Sequence, residues 1–216
     1  MLVKDYMSKK VITIAPNTPI FEAMDLMKQQ GIHRLPVVEN NKLVGLLTEG
    51  TIQEAMPSKA TSLSVYEVNY LLNKMTVSDV MIKDVHTIKA DEFIEEAIKI
   101  MREFNIGVLP VVDDNKEIQG IITSTDAFDA FLSITGYGED GTRVAISIKE
   151  DHPGVLAEIT KILAEKAFNI VQIVVYRQHG QVIIIIQVVE QNEIELKNTL
   201  ESNNYDVIMC QETKRS

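Results

Sequence analysis

The chain has a single cysteine among its 216 residues, Cys210, which excludes an intrachain disulfide and fits a reducing compartment. At the end of an apolar segment, that thiol reads as a small apolar filler rather than a reactive group. No apolar run approaches the ~20 residues that span a bilayer, and no signal-peptide stretch follows the N-terminal lysines. These absences give the expectation of a cytoplasmic chain without membrane contact. Positive charge is scarce as well. The 21 Lys and Arg stand against 31 Asp and Glu, a net charge of −10, which argues against nucleic acid as a partner. The histidines, His33, His86, His152 and His179, lie in separate segments without metal-ligand spacing, so no metal is expected. No serine sits in a nucleophile elbow and no Walker loop is present. The carboxylate pairs Glu95-Glu96 and Asp113-Asp114 fall on a predicted helix and turn, where solvation explains them. No catalytic residue can be assigned, and the expectation is a protein that is not an enzyme.

What the chain does contain is one unit written twice. Val3-Lys4-Asp5-Tyr6-Met7 recurs as Val77-Ser78-Asp79-Val80-Met81, and Gly31-Ile32-His33-Arg34-Leu35-Pro36-Val37-Val38 as Asn105-Ile106-Gly107-Val108-Leu109-Pro110-Val111-Val112. Gly45-Leu46-Leu47-Thr48 returns as Gly120-Ile121-Ile122-Thr123. Within each unit the apolar period switches between two and 3.6. Val11–Thr13 reads as a strand. Ile20, Ala23, Met24 and Met27 then form a helical stripe, matched by Ile94, Ala97, Ile98 and Met101. Two strands joined by the turn Asn40-Asn41, or Asp113-Asp114-Asn115, follow, and a helix is predicted after Thr48 and Thr123. The order is β-α-β-β-α, twice. Paired units of this kind enclose a ligand-sized cleft between them.

The domain reading is 1–56 for the first unit, 57–76 for a linker with a short helix opened by the capping-box pattern at Ser64-Val65-Tyr66-Glu67, and 77–132 for the second. A polar, glycine-rich linker, 133–142, leads to a third domain, 143–216, with the pattern β-α-β-β-α-β. Gly136-Tyr137-Gly138-Glu139-Asp140-Gly141 matches a dinucleotide fingerprint by letter only, since a strand-like segment follows it where that fingerprint needs a helix. Val182-Ile183-Ile184-Ile185-Ile186 is apolar on both faces, so the side of its sheet without helices calls for cover by a second subunit or by the repeats.

The repeats resemble CBS domains, nucleotide-sensing modules that pair into a Bateman module. The resemblance rests on Val85-His86-Thr87-Ile88, Gly107-Val108-Leu109-Pro110-Val111-Val112-Asp113 and Gly120-Ile121-Ile122-Thr123-Ser124-Thr125-Asp126 with their counterparts in the first copy. The tail resembles an ACT domain through Asp151-His152-Pro153-Gly154-Val155-Leu156, Ile159, Leu163 and Asn169-Ile170. The order CBS-CBS-ACT is similar to AcuB-like regulatory proteins of acetoin utilisation. The fold class implied is α+β, tandem CBS repeats followed by a ferredoxin-like ACT domain.

This resemblance implies an adenosine-containing regulatory ligand, AMP, ADP or ATP first among the options, and no cofactor. Cyclic dinucleotides and S-adenosylmethionine stay open. Asp126, three residues after Thr123, is placed to accept the ribose hydroxyl protons; Leu109, Pro110 and Val111 would wall the base, and backbone near Thr87 would read its edge. In copy one, Thr13 and Thr48 hold the matching positions, but Thr51 stands where copy two has Asp126. Copy one carries His33-Arg34 instead, a pair suited to phosphate. One working site is expected, ribose on Asp126 and Thr123, phosphate on Arg34 and His33. The plain alternative is that Asp126 caps a helix and His33-Arg34 is a solvated pair. In the ACT segment, Lys149, Asp151, Gly154 and Asn169 would hold an amino acid or other small effector where subunits meet; the alternative is a turn with solvated charges. The expected partners are these small molecules, a second copy in a homodimer, and a regulated protein of unassigned identity. A structural dimerisation module and a nucleotide-acting enzyme are the competing functions.

Overall fold

The structure is a computed structural model that describes residues 1–56 and 74–214; the linker helix expected after Ser64 falls, but for Lys74, outside them. The chain divides into two compact units, Met1–Ala127 and Phe128–Ser216.

In the first unit, copy one consists of α1 (Val3–Tyr6), α2 (Ile20–Gln30), β1 (Arg34–Glu39), β2 (Lys42–Thr48) and α3 (Glu49–Ala55). Copy two repeats them as α4 (Val77–Val80), α5 (Ile94–Glu103), β3 (Val108–Val112), β4 (Ile118–Thr123) and α6 (Ser124–Thr135), the division between units falling inside α6. Helix α2 starts after Pro19 and stops at Gly31, whose φ of 63° a side chain would resist. Ile20, Ala23 and Met27 of the predicted stripe are buried; Ile94, Ala97 and Met101 do the same in copy two, where Ile98 is exposed. The β1–β2 turn sets Asn40 and Asn41 at φ 48° and 64°, a left-handed pair that matches strand twist.

The strand expected at Val11–Thr13 is reduced to a single bridge. Ile14 donates to the Pro36 carbonyl at 3.1 Å and accepts from Val38 at 2.9 Å. Pro36 has no N–H to extend the ladder, and Pro16 closes it on the other side. Ile88 pairs in the same way with Pro110 and Val112.

The two copies trade their opening segments. Val3 and Lys4 of copy one donate to the carbonyls of Glu92 and Ala90, while Val77 and Ser78 of copy two donate to those of Thr18 and Pro16. Val77 lies in the core of copy one with Ile14, Ile20, Leu35 and Leu47. Met7 seats on Gly120 and Met81 on Gly45. A Cβ at either glycine would press into the methionine and come within 3.0 Å of a carbonyl, Ser8 or Ile82 respectively. Each copy's opening segment thus lies against the other copy, and the core of copy one is not complete without Val77 of copy two.

The second unit holds β5 (Gly141–Ile148), α7 (Val155–Glu165), β6 (Ile170–Gln178), β7 (Gln181–Val188), α8 (Glu193–Ser202) and β8 (Asp206–Thr213). The sheet is antiparallel in the order β6-β7-β5-β8, the ferredoxin-like arrangement expected of β-α-β-β-α-β. Val144, Ile146, Ile184 and Ile186 pack against Ile159, Leu163, Leu196 and Leu200 from the helices. Half of the predicted linker 133–142 is regular structure: α6 runs to Thr135 and β5 begins at Gly141. Its middle covers part of the sheet face away from the helices. Arg143 donates to the Thr135 carbonyl at 2.8 Å, and Gly136 approaches so closely that a Cβ would meet that of Gln172 at 3.1 Å. The chain itself therefore supplies some of the cover that the apolar β7 strand called for. Among the described residues no helix is long and apolar enough to cross a membrane, and no cluster of acids, histidines and cysteine is set to hold a metal ion.

Candidate functional site

A cleft of about 300 Å³ opens in the first unit between the two copies. Copy one lines it with Lys10, Ile12, Ile32, His33 and Arg34, and copy two with Val108, Ile121 and Thr123. That volume sits at the lower end of ligand pockets. The apolar residues form walls, and Lys10 and Arg34 give the polar rim a positive character. Arg34 opens β1 and reaches across to copy two: a Cβ on Gly107 would lie 3.4 Å from its Nη2 and 3.5 Å from Ser124 Oγ. A Cβ there would make ordinary contact, so Gly107 marks where the arginine of copy one meets copy two. His33 Nδ1 stands 3.0 Å from Glu49 Oε2, an exposed pair.

Thr123 precedes α6 and Asp126 is in its first turn. The Asp126 carboxylate Oδ2 accepts from the Thr123 amide at 2.6 Å and hydroxyl at 2.7 Å. In copy one the same reciprocal box is built from two threonines, Thr48 N–H to Thr51 Oγ1 at 3.2 Å and Thr51 N–H to Thr48 Oγ1 at 3.1 Å. The helix start therefore needs only an oxygen acceptor at that position. A carboxylate adds charge and a second oxygen.

The expected residues do not all converge. His33, Arg34 and Thr123 line one cleft. Thr87 lines another, about 140 Å³, with Lys83, Lys116 and Gly45. Leu109 and Val111 have no exposed surface and Pro110 is buried, so these three belong to the core; Val108, Ile121 and Ile12 supply the apolar wall instead. Alternation along β3 accounts for Leu109 and Val111, which point to the face opposite Val108; Pro110, on the same face as Val108, is buried. Thr13 is exposed and outside the cleft. Sequence reasoning missed Lys10. Its signal was the copy difference, Lys10 standing where copy two has Asp84.

In the second unit, Lys149 lines a cavity of about 340 Å³ with His152, Glu158, Asn204 and Tyr205. Tyr205 donates to Glu158 Oε2 at 3.3 Å, and burial, reinforced by the Glu158 charge, pushes its phenol above the usual range. Asp151 points elsewhere, to Arg177 Nη2 at 3.1 Å. Gly154 precedes α7 with φ 106°. Asn169 lies at the far end of the sheet, its amide donating to Glu190 Oε2. Ile170 aligns with Val188 and Thr142, whereas Lys149 follows Ile148, which aligns with Val182. Six residues of strand put about 20 Å between the two ends. Lys149, Asp151 and Asn169 therefore do not form one site within a single chain. The Cys210 thiol is pushed up to about 11, mainly by burial and then by Glu193, so it stays protonated at neutral pH.

The CBS domain profile matches residues 3–58 and 77–133, and the ACT domain profile residues 142–202. A solved CBS pair, protein MJ0100 in complex with 5-methylthioadenosine and S-adenosyl-L-methionine, is 34% identical and covers 61% of this chain and 99% of its own, with a TM-score of 0.51. A Vibrio cholerae protein assigned to acetoin utilization, AcuB, is 25% identical and covers 63% of this chain and 93% of its own, with a TM-score of 0.52. The L-aspartate semialdehyde sulfurtransferase of Methanocaldococcus jannaschii is 36% identical over 126 residues, 58% of this chain. The chain spans only 22% of that enzyme's length. With both copies matched over more than half its length and the tail matched separately, the chain belongs to the CBS domain family, as a CBS pair followed by an ACT domain.

Proposed function

We propose that this protein is a non-catalytic sensor whose CBS pair binds one phosphorylated adenosine, AMP, ADP or ATP, in the inter-copy cleft. The observation that carries this reading is the division of groups between copies: Arg34, His33 and Lys10 from one, Thr123 and the adjoining Asp126 from the other. Three basic side chains suit phosphate and disfavour the sulfonium of S-adenosylmethionine. Asp126 takes the ribose by exchanging its bond to the Thr123 hydroxyl for the sugar hydroxyls. The ACT unit then binds a small effector such as an amino acid, and occupancy of either site changes contact with a regulated protein, by a coupling of about 1–3 kcal/mol. The likeness to AcuB supports a place in acetoin or acetate metabolism.

A module without ligand is the competing reading, favoured by the engagement of Asp126 in its own helix start. Calorimetric titration and melting curves with AMP, ADP, ATP, adenosine and S-adenosylmethionine separate the two. Adenylate at 100 times its Kd is expected to stabilise the chain by about 2.7 kcal/mol. Arg34→Ala is expected to weaken AMP about tenfold, roughly 1.4 kcal/mol, while leaving adenosine unchanged. No shift with any nucleotide would leave only the assembly role.

A further inference from the structure

Just outside the β1–β2 ladder the two copies carry unlike side chains on a like backbone. The ladder aligns Arg34 with Thr48, and the next pair outward is His33 with Glu49, joined by a bond from the Glu49 amide to the His33 carbonyl at 3.1 Å. Copy two keeps that bond, from the Ser124 amide to the Gly107 carbonyl at 3.2 Å, with no charged side chain at either residue. In copy one the backbone holds ring and carboxylate opposite each other, His33 Nδ1 at 3.0 Å from Glu49 Oε2. His33 lines both the inter-copy cleft and a groove between α2 and α3, whereas Glu49 lines the groove and not the cleft. His33 therefore stands in the wall between the two hollows, with Nδ1 engaged by Glu49 and Nε2 left for a ligand.

We propose that Glu49 is a positioning residue for the nucleotide: it fixes His33 with its hydrogen on Nδ1, so that the phosphate is gripped only with uptake of one proton. The proposal rests on the nucleotide reading above. An ionised carboxylate can only accept, so its bond to the ring requires the hydrogen on Nδ1. The neutral ring then turns a lone pair on Nε2 to the ligand, and a phosphate dianion offers only lone pairs in return. One proton from solvent, on Nε2 or on a phosphate oxygen, has to join them. Without the carboxylate, the neutral ring is free to carry its hydrogen on Nε2 and to donate with no uptake. Exposed as it is, the pair adds little to stability, but it has only to decide between two tautomers of one ring. The other charged groups around the ring are Arg34 on the same strand, Lys10 of the opening segment, Asp25 and Lys28 of α2, and Asp126 beside Thr123. Groups of these types ordinarily titrate outside about pH 6–8.5, which leaves the imidazole and the ligand's phosphate to carry the proton.

Two measurements on the full chain test this. Nitrogen-15 spectra of the imidazoles at pH 8.5 without ligand, with the His33 signals identified by their loss in His33→Ala, are expected to show the hydrogen on Nδ1. In Glu49→Ser, the residue of copy two and too short to reach the ring, it is expected mainly on Nε2. Calorimetric titration with AMP at pH 6 and pH 8.5 is read as the ratio to His33→Ala, so that the titration of the phosphate is common to both. Wild type is expected to bind about tenfold tighter than His33→Ala at pH 6 and about equally at pH 8.5, whereas Glu49→Ser keeps its advantage at both. Adenosine is expected to bind all three chains alike. A wild-type hydrogen on Nε2, an advantage over His33→Ala that is the same at both pH values, or a Glu49→Ser profile like that of wild type would each overturn the proposal and leave the nucleotide reading standing. Failure of wild type to bind AMP at either pH would overturn both.

Discussion

Copy one and copy two share a fold and differ in the residues with which they line the cleft. Where the copies must hold each other, they match: Val3 answers Val77, Met7 on Gly120 answers Met81 on Gly45, and the Ser8–Ile121 bridge answers Leu46–Ile82. Where a ligand would touch them, they differ. His33 and Arg34 face Gly107 and Val108, Thr51 stands against Asp126, and Lys10 against Asp84. Packing demands equal volumes on both sides of the pseudo-two-fold. A single asymmetric ligand makes unlike demands on the two sides, and substitutions that leave packing intact are free to diverge.

The matched features should break equally. Gly45→Val and Gly120→Val each force a Cβ against a methionine and to within 3.0 Å of a carbonyl that cannot move away. Each is expected to cost about 2–3 kcal/mol in denaturant unfolding. A difference above about 1 kcal/mol between the two would mean that the copies do not contribute equally to the joint.

The unmatched features should break singly. Asp126→Thr gives copy two the helix start of copy one, so the melting temperature without ligand should hold. AMP affinity is expected to fall roughly 30-fold, about 2 kcal/mol, the worth of hydrogen bonds to a charged group. Lower stability with unchanged AMP binding would make Asp126 a helix cap and nothing more. That outcome would separate it from Arg34.

The smallest contrast lies at the opening helices. Asp79 accepts from both the amide and the hydroxyl of Thr76 at 2.8 Å, whereas its counterpart Asp5 accepts from the Leu2 amide at 3.0 Å, leucine having no hydroxyl. The Thr76 bonds, backbone first, hold the Asp79 carboxyl below its usual range. A depressed folded-state value means the stabilisation is present above the unfolded value near 3.8 and disappears as pH falls through the folded one. At this exposed position it amounts to a few tenths of a kcal/mol. The gap in melting temperature between wild type and Asp79→Asn should therefore be measurable at pH 7 and close by about pH 2. A gap that persists in acid would assign the effect to helix packing rather than charge.

Much of the architecture was legible because periodicity reports local geometry. The stripe Ile20, Ala23, Met27 and the turn at Asn40-Asn41 each declare themselves within a dozen residues, and the duplicated segments announced a paired module. The place of His33 and Arg34 in the cleft was legible for the same reason, since a repeat exposes its own exceptions. The apolar wall was not. Leu109 and Val111 face inward and Val108 outward into the cleft, a parity that neighbouring residues of an apolar run do not reveal.

By themselves, the residues determined two like units, a third of different rhythm, and a chain without metal or nucleophile motifs. Only the tertiary structure decided that copy one completes its core with Val77 of copy two, and that Arg34 reaches over Gly107. It also decided that Lys149 and Asn169 stand at opposite ends of one sheet. Local preference acts over a few residues, where sequence can be read directly. Which strand lies beside which, and which end of it, depends on burying surface from segments far apart in the chain, and that is settled only when they pack.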